Sequence, residues 1–396
     1  MTGAMPAHDG DPFSHDVLDD PRQLQHELRE AGPVVYLTRY DVYALARYEH
    51  VHAALVDWQS FQSGAGVGLA NLRRTPTHRA GVLLEADPPR HDAPRRVQGR
   101  TLSVRALRPY RDVWRAKAEE LVDEVLAEGP EFDAYTRLAR AFPLRVFPDA
   151  VGIPAEGREN LVPFGDANFN SFGPRNDLVQ RDEHRLPGLT YWVMAQTGRD
   201  VLSDSGFGAA IYAASDRHDI PAERAPFLVR SLLAAGVDTT ISGLSAVLYA
   251  LASYPAQWER LRDNPALIRV AFDEAVRWES PVQTFFRTAS RDVPIGGHVI
   301  PEGEKILMFL GAANRDPRRW DDPDAFDLDR DPSGHVGFGM GIHQCVGQHV
   351  ARLEAESVLQ VLVKRVRGLE LTGPVVRHHN NTLRAWESIP LRVRPV

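Results

Sequence analysis

The chain has 396 residues, 43% hydrophobic and 25% charged, with a formal net charge of −7 at pH 7. This composition suits a chain that buries a large core, and the acidic balance excludes a general attraction to nucleic acid or an anionic membrane. A single cysteine excludes an intramolecular disulfide and a cysteine-held iron–sulfur cluster.

By length alone two or three domains are expected. No Gly/Ser tract, Pro-rich spacer or long charge block divides the chain, so one domain over residues 1–396 is the expectation, with about residues 1–11 a flexible tail. Met1 to Asp20 is polar and lacks the basic and apolar regions of a signal peptide. No run of 18 uncharged apolar residues occurs. One cysteine fits a reducing compartment, and a cytoplasmic protein is expected.

Pro21 to Ala31 reads as a helix stopped by Gly32-Pro33. Val34–Leu37 and Val42–Ala46 read as a hairpin, and Tyr48 to Trp58 returns to helical spacing. Gln62 to Ala80 is loop-like. Gly64, Gly66 and Gly68 lack the strand-to-helix context and Gly-Lys-Ser/Thr of a phosphate loop. His91 and Arg95 are four apart and share a helix face, with Pro94 tolerable in the first turn. Seven arginines between Arg90 and Arg111 make a basic stretch, most simply a solvated face. Helices continue to about Ala127. Phe164 to Asn176 is rich in aromatics and turn formers, and Pro187 to Pro221 gives no clear pattern.

Ala222 to Ser253 is a long helical pattern in which Ala235-Gly-Val-Asp238-Thr239-Thr240 interrupts an apolar run. An acid and two threonines are poor mid-helix residues; taken alone they read equally well as an exposed acid and back-bonded hydroxyls. Glu274 and Arg277 lie one turn apart, so carboxylate and guanidinium can meet. Pro281 ends that helix, and Thr284 to Arg287 reads as a strand.

Cys345 stands in Phe338-Gly-Met-Gly341-Ile-His343-Gln-Cys345-Val-Gly347, just before an apolar run of helical spacing. Unpaired amides and the dipole at a helix start favour a thiolate there. Without context a lone cysteine is more often a small buried hydrophobe.

The stretch around Cys345 resembles the haem-binding loop of the cytochrome P450 family, F-x-x-G-x-H-x-C-x-G. Ala235-Gly-Val-Asp238-Thr239-Thr240, Glu274-Ala-Val-Arg277 and Phe326-Asp-Leu-Asp-Arg330 resemble that family's other signatures. The resemblance implies a mainly α fold with small β-sheets, haem b, and Cys345 as the axial ligand of its iron. It implies haem contacts at His91, Arg95, Arg287, Phe338 and His343, and proton delivery to dioxygen by Asp238 and Thr239. Glu274, Arg277 and Arg330 become a structural ion-pair network. Electrons are expected from a separate ferredoxin and its reductase, and the protein is expected to be a monomer.

Leu84-Glu-Ala-Asp-Pro-Pro, Phe172-Gly-Pro, Leu228-Val-Arg-Ser231-Leu-Leu and Ser280-Pro-Val-Gln-Thr-Phe-Phe-Arg287 are similar to bacterial members that oxidise para-substituted benzoic acids, including 4-methoxybenzoate. By matched position Leu84, Phe169, Phe172, Ala235, Val282 and Phe285 line the pocket, and Ser231 lies near the substrate carboxylate. Ala234 and Gly81 stand where close relatives carry serine; Arg79 or His78 is the expected compensating cation. The implied reaction is O-demethylation of a para-alkoxybenzoate to a phenol and formaldehyde. The alternatives are hydroxylation of another small hydrophobic substrate or a catalytically silent haem sensor, which has no use for Asp238-Thr239. A hydrolase built on Cys345 and His343 lacks an orienting acid nearby in sequence.

Overall fold

The computed structural model describes residues 4–78 and 80–396. The expected substrate contact Arg79 lies outside the described residues. The architecture is mainly helical with small sheets. The largest sheet contains β1 (Ala7–His8), β2 (Val35–Leu37), β3 (Val42–Leu45), β4 (Phe61–Gln62), β5 (Thr284–Ala289) and β6 (Lys305–Phe309), in the order β1-β2-β3-β6-β5-β4. β2–β3 and β5–β6 are antiparallel pairs, and β3 runs parallel to β6. Two residues of the expected tail therefore form a strand. Tyr36 N–H donates to Pro6 O (2.8 Å) and Thr38 N–H to His8 O (3.0 Å), so the edge of β2 holds this segment.

Six helices position the site: α1 (Asp92–Thr101), α2 (Leu161–Asn170), α3 (Ala225–Ala235), α4 (Asp238–Ser253), α5 (Ile268–Glu279) and α6 (Gln348–Arg365). Phe142, Phe147, Phe164, Leu244 and Phe272 are fully or almost fully buried in the largest apolar cluster, which joins these helices. Burial of a side chain this size is worth about 1.5–3 kcal/mol. The segment without a clear sequence pattern contains helices Leu186–Ala195 and Phe207–Asp216.

The single long helix expected over Ala222–Ser253 is broken. It opens with a 3-10 turn, Ala222–Arg224, and α3 stops at Ala235. The chain bends at Gly236-Val237, and α4 starts at Asp238. Two hydroxyls take over the carbonyls at the bend: Thr239 Oγ1–H donates to Ala235 O (2.7 Å) and Thr240 Oγ1–H to Gly236 O (3.0 Å). By length and composition Ala222–Ser253 is apolar enough to cross a membrane, but most of it is buried. Its hydropathy is that of a core helix.

A C-terminal hairpin, β7 (Val376–His379) and β8 (Arg384–Ser388), reaches the end of α2. Its tip docks by polar side chains. Asn381 Nδ2 donates to Asn170 O (2.9 Å), Thr382 Oγ1 to Phe169 O (2.9 Å) and Asn380 Nδ2 to Asp166 Oδ1 (2.7 Å).

Candidate functional site

Cys345 lies in a closed loop. Its N–H donates to Phe338 O (2.7 Å), and Gly341 sits at φ +68° where a Cβ would stand 2.5 Å from Leu55 O. The Phe338 ring carries the Arg352 guanidinium on one side (4.8 Å) and approaches Phe272 (6.5 Å between centroids). The amides of Gly347 and Gln348 favour charge on the sulfur, as do Arg95 and Arg352. Burial nevertheless outweighs them and pushes the thiol up. Burial thus opposes the thiolate expected from a helix start, whereas metal coordination deprotonates a thiol outright.

Four basic side chains from three separate segments gather beside this loop. His91 precedes α1 and Arg95 is in its first turn; Arg287 is on β5; His343 is in the loop itself. The His91 and His343 rings meet edge to face, with centroids 4.8 Å apart. The Nε2 atoms of both are buried without a hydrogen-bond partner. Burial lowers Arg287 to about 10, and it lowers Arg95 as well. His343 is pushed down to about 3 by burial first, then by Arg287, His91 and Arg95. Among the described residues no carboxylate forms an ion pair with Arg95, Arg287 or His343. Such a set suits an anionic ligand that can accept from several donors.

Asp238 is buried at the first position of α4, and its Oδ2 has no partner. Burial raises its carboxyl well above the usual range, helped by Asp166 and opposed by Arg140, which favours the protonated form. Thr239 follows it at the bend.

Three rings form a continuous aromatic wall. Phe169 and Phe172 meet edge to face at 5.8 Å, and Phe172 and Phe285 lie 5.8 Å apart. Val282 bridges to Leu383, and Leu84 and Ala235 are exposed at their positions. Ser231 is already engaged: it donates to Leu228 O (2.7 Å) and accepts from Gln98 Nε2 (2.6 Å). His78 is committed to Glu85 (2.9 Å), so it is not the free cation expected from the sequence. Burial opposes the Glu85 charge, but His78 and the Gly81 amide prevail and keep it ionised. Arg230, one residue before Ser231, passed unnoticed in the sequence. It stacks on Phe164 (5.3 Å), its contact to Asn168 Oδ1 is long (3.4 Å), and it has no ion-pair partner among the described residues. The signal was its adjacency to Ser231 on α3.

Glu274 and Arg277 on α5 are fully buried and paired at 2.7 and 2.8 Å; Arg330 joins Glu274 at 3.0 Å. Arg277 also donates to the carbonyls of Asn314, Pro323 and Ala325. This cluster ties α5 to the segment leading into the Cys345 loop.

A single buried sulfur ligand, two orphaned imidazole nitrogens and two unpaired guanidiniums fit haem b. Cys345 would hold the iron, and His91, Arg95, Arg287 and His343 the two propionates. Comparison with known proteins points to a family of haem proteins. A profile of the family described as "Cytochrome P450" matches residues 213–373. The chain is 52% identical to cytochrome P450 CYP199A2 of Rhodopseudomonas palustris, over 97% of this chain and 94% of that protein. It is 31% identical to the beta-dihydromenaquinone-9 omega-hydroxylase of Mycobacterium bovis, over 98% and 79% of the two chains. Among solved structures it matches CYP109Q5 from Chondromyces apiculatus with a TM-score of 0.81 at 28% identity, covering 98% and 99% of the two chains.

Proposed function

This chain belongs to the cytochrome P450 family, and from that premise we propose that it oxidises a small aromatic carboxylic acid, O-demethylating a para-alkoxybenzoate such as 4-methoxybenzoate. Haem b, when bound, supplies the iron at which dioxygen is activated for monooxygenation. The chain's own residues bind, orient and move protons. Cys345 would donate its sulfur to the iron, Arg95 and Arg287 would offset the propionate charges, and His91 and His343 would offer them hydrogen-bond donors. Asp238 keeps a proton on a buried carboxyl, with the Thr239 hydroxyl beside it at the helix bend. Oxidation at an aryl ether methyl gives a hemiacetal, which collapses to a phenol and formaldehyde.

The observation that carries the substrate reading is the Phe169–Phe172–Phe285 wall combined with the unpaired Arg230. Flat rings favour a planar aromatic guest held edge-on or offset. Arg230 is partly buried, and desolvation lowers its pKa, so a carboxylate partner would relieve it. An anchor at one end and a rigid slot between would hold the para substituent at the iron, so that geometry gives selectivity. The commitments of Ser231 to Gln98 and of His78 to Glu85 favour a second reading, a neutral aryl substrate held by the aromatic wall alone.

A spin-state titration separates the two. 4-Methoxybenzoate is expected to bind more tightly than its methyl ester and its meta isomer. Arg230→Gln is expected to weaken the acid by about 1.5–3 kcal/mol, the value of a hydrogen bond to a charged group, and to leave the ester unchanged. Equal affinity for all three compounds in both proteins would remove the acid reading. The expected electron donor is a separate ferredoxin; the exposed Arg96, Arg105 and Arg108 offer it a basic face.

A further inference from the structure

Asp238 can act as a proton donor repeatedly only if its buried carboxyl is reprotonated between turnovers. Its unpartnered Oδ2 faces α2 where that helix carries no side chain: a Cβ on Gly165 would stand 2.3 Å from Oδ2 and 2.8 Å from Cγ. The next residue on α2 is Asp166, and its charge acts directly on Asp238. Asp166 Oδ1 accepts from His378 Nε2 (2.9 Å) on β7, and Oδ2 accepts from Arg181 Nη2 (2.9 Å). His378 is about one-third exposed, whereas Asp166 is only 15% exposed. On this side of Asp238 one histidine bonded to one carboxylate stands toward solvent.

The other groups facing Asp238 are poor donors. Arg140 acts on Asp238 as a positive charge that favours the ionised carboxyl, and burial pushes the Tyr135 phenol up to about 12. Burial opposes the charge of Asp166, but His378, Asn380 and Arg181 hold its carboxyl below the usual range. Asp166 is therefore an ionised acceptor. His378 is raised by its bond to Asp166, against burial and Arg181, with Glu387 adding slightly in the same direction. The bond to Asp166 thus favours the charged ring, which is in contact with water.

We propose that the His378–Asp166 pair is the proton inlet that recharges Asp238. This rests on the reading of Asp238 as the donor. In the transfer the Nε2–H bond of His378 breaks as an O–H bond forms on Asp166. That O–H breaks in turn as the Asp238 Oδ2–H forms, with a water molecule spanning the gap, and His378 recovers its proton from solvent. Repulsion between the two carboxylates favours the first step, because ionised Asp238 raises the proton affinity of Asp166, and the burial of Asp238 favours the second. His378 and Asp166 are positioning residues in this scheme, since neither touches substrate.

The experiment uses the haem-loaded protein. The fraction of electrons recovered as product rather than peroxide is measured against pH for wild type, His378→Gln, Asp166→Asn and Asp238→Asn. In parallel the His378 ring is titrated by NMR in the reduced, carbon monoxide-bound protein. In wild type the coupled fraction should fall as pH rises through the NMR midpoint of His378. Asp166→Asn should lower that NMR midpoint and also lower coupling. His378→Gln should lose the pH step, with proton supply falling by up to about 10²-fold, the low end of a positioned donor's contribution. A pH step that persists in His378→Gln, or lies away from the NMR midpoint, overturns the inlet and leaves the pair a structural pin. Full coupling in Asp238→Asn overturns the donor reading itself.

Discussion

Removing the Glu274 carboxylate tests the buried ion pair behind the site. Glu274→Ala takes away two bonds to Arg277 (2.7 and 2.8 Å) and one to Arg330 (3.0 Å). Arg277 keeps its bonds to three carbonyl oxygens, but its charge, at 0% exposure, loses its counter-ion. Leaving such a charge unpaired costs about 3–5 kcal/mol. The double variant Glu274→Ala/Arg277→Met removes both charges and should lose less than the sum of the single variants. The interaction energy of neighbours in one network is about 0.5–3 kcal/mol. Urea unfolding followed by far-ultraviolet circular dichroism gives the stability change, and the Soret band reports haem retention in the same samples. Arg277 and Arg330 hold the carbonyls of residues 321–325, so haem loss should precede global unfolding. A loss below about 1 kcal/mol, the value of an exposed pair, would refute the reasoning.

Cys345→Ser should abolish the thiolate-type Soret shift of the reduced, carbon monoxide-bound protein and its oxygenase activity, with far-ultraviolet circular dichroism retained; wild-type turnover would remove the ligand assignment. Thr239→Ala should divert electrons to peroxide with little change in substrate affinity, because the hydroxyl lies at the helix bend and outside the aromatic wall; full coupling would exclude a role in oxygen activation. Asp238 also predicts a pH effect on stability. Its folded-state carboxyl is raised above its unfolded value, so the folded state binds the extra proton and stability falls as pH rises above the ordinary carboxylate range. Denaturation at several pH values should show a shallower fall in Asp238→Asn, and an unchanged slope would mean the carboxyl is not held neutral.

Legibility in the sequence followed the range of the interactions. The hairpin over residues 35–45 and the helix Arg22–Ala31 rest on local periodicity and Gly-Pro punctuation, and both were readable. The spacing around Cys345 was readable because a tight loop around a large group restricts each position. The bend at Gly236-Val237 was half readable: poor helix formers marked the place, but the hydroxyl bonds to Ala235 O and Gly236 O decide the geometry. The β1 strand was missed because its pairing partner lies about thirty residues away and its own composition is that of a tail. Most of the polar logic of the pocket was invisible. Gln98 reaches Ser231 across 133 positions and His378 reaches Asp166 across 212, and no local pattern encodes such contacts.

The close approach of Gly165 to Asp238 links two positions far apart in the chain. A methyl group at 165 would drive the carboxyl from its place, since it would overlap Oδ2, crowd Cγ and stand 3.3 Å from Cβ. An acid at 238 therefore requires bare backbone at 165, and a larger residue at 165 requires a smaller or reoriented one at 238. Among related chains the two positions should covary: drift at 165 is closed to any descendant that keeps the acid in this orientation.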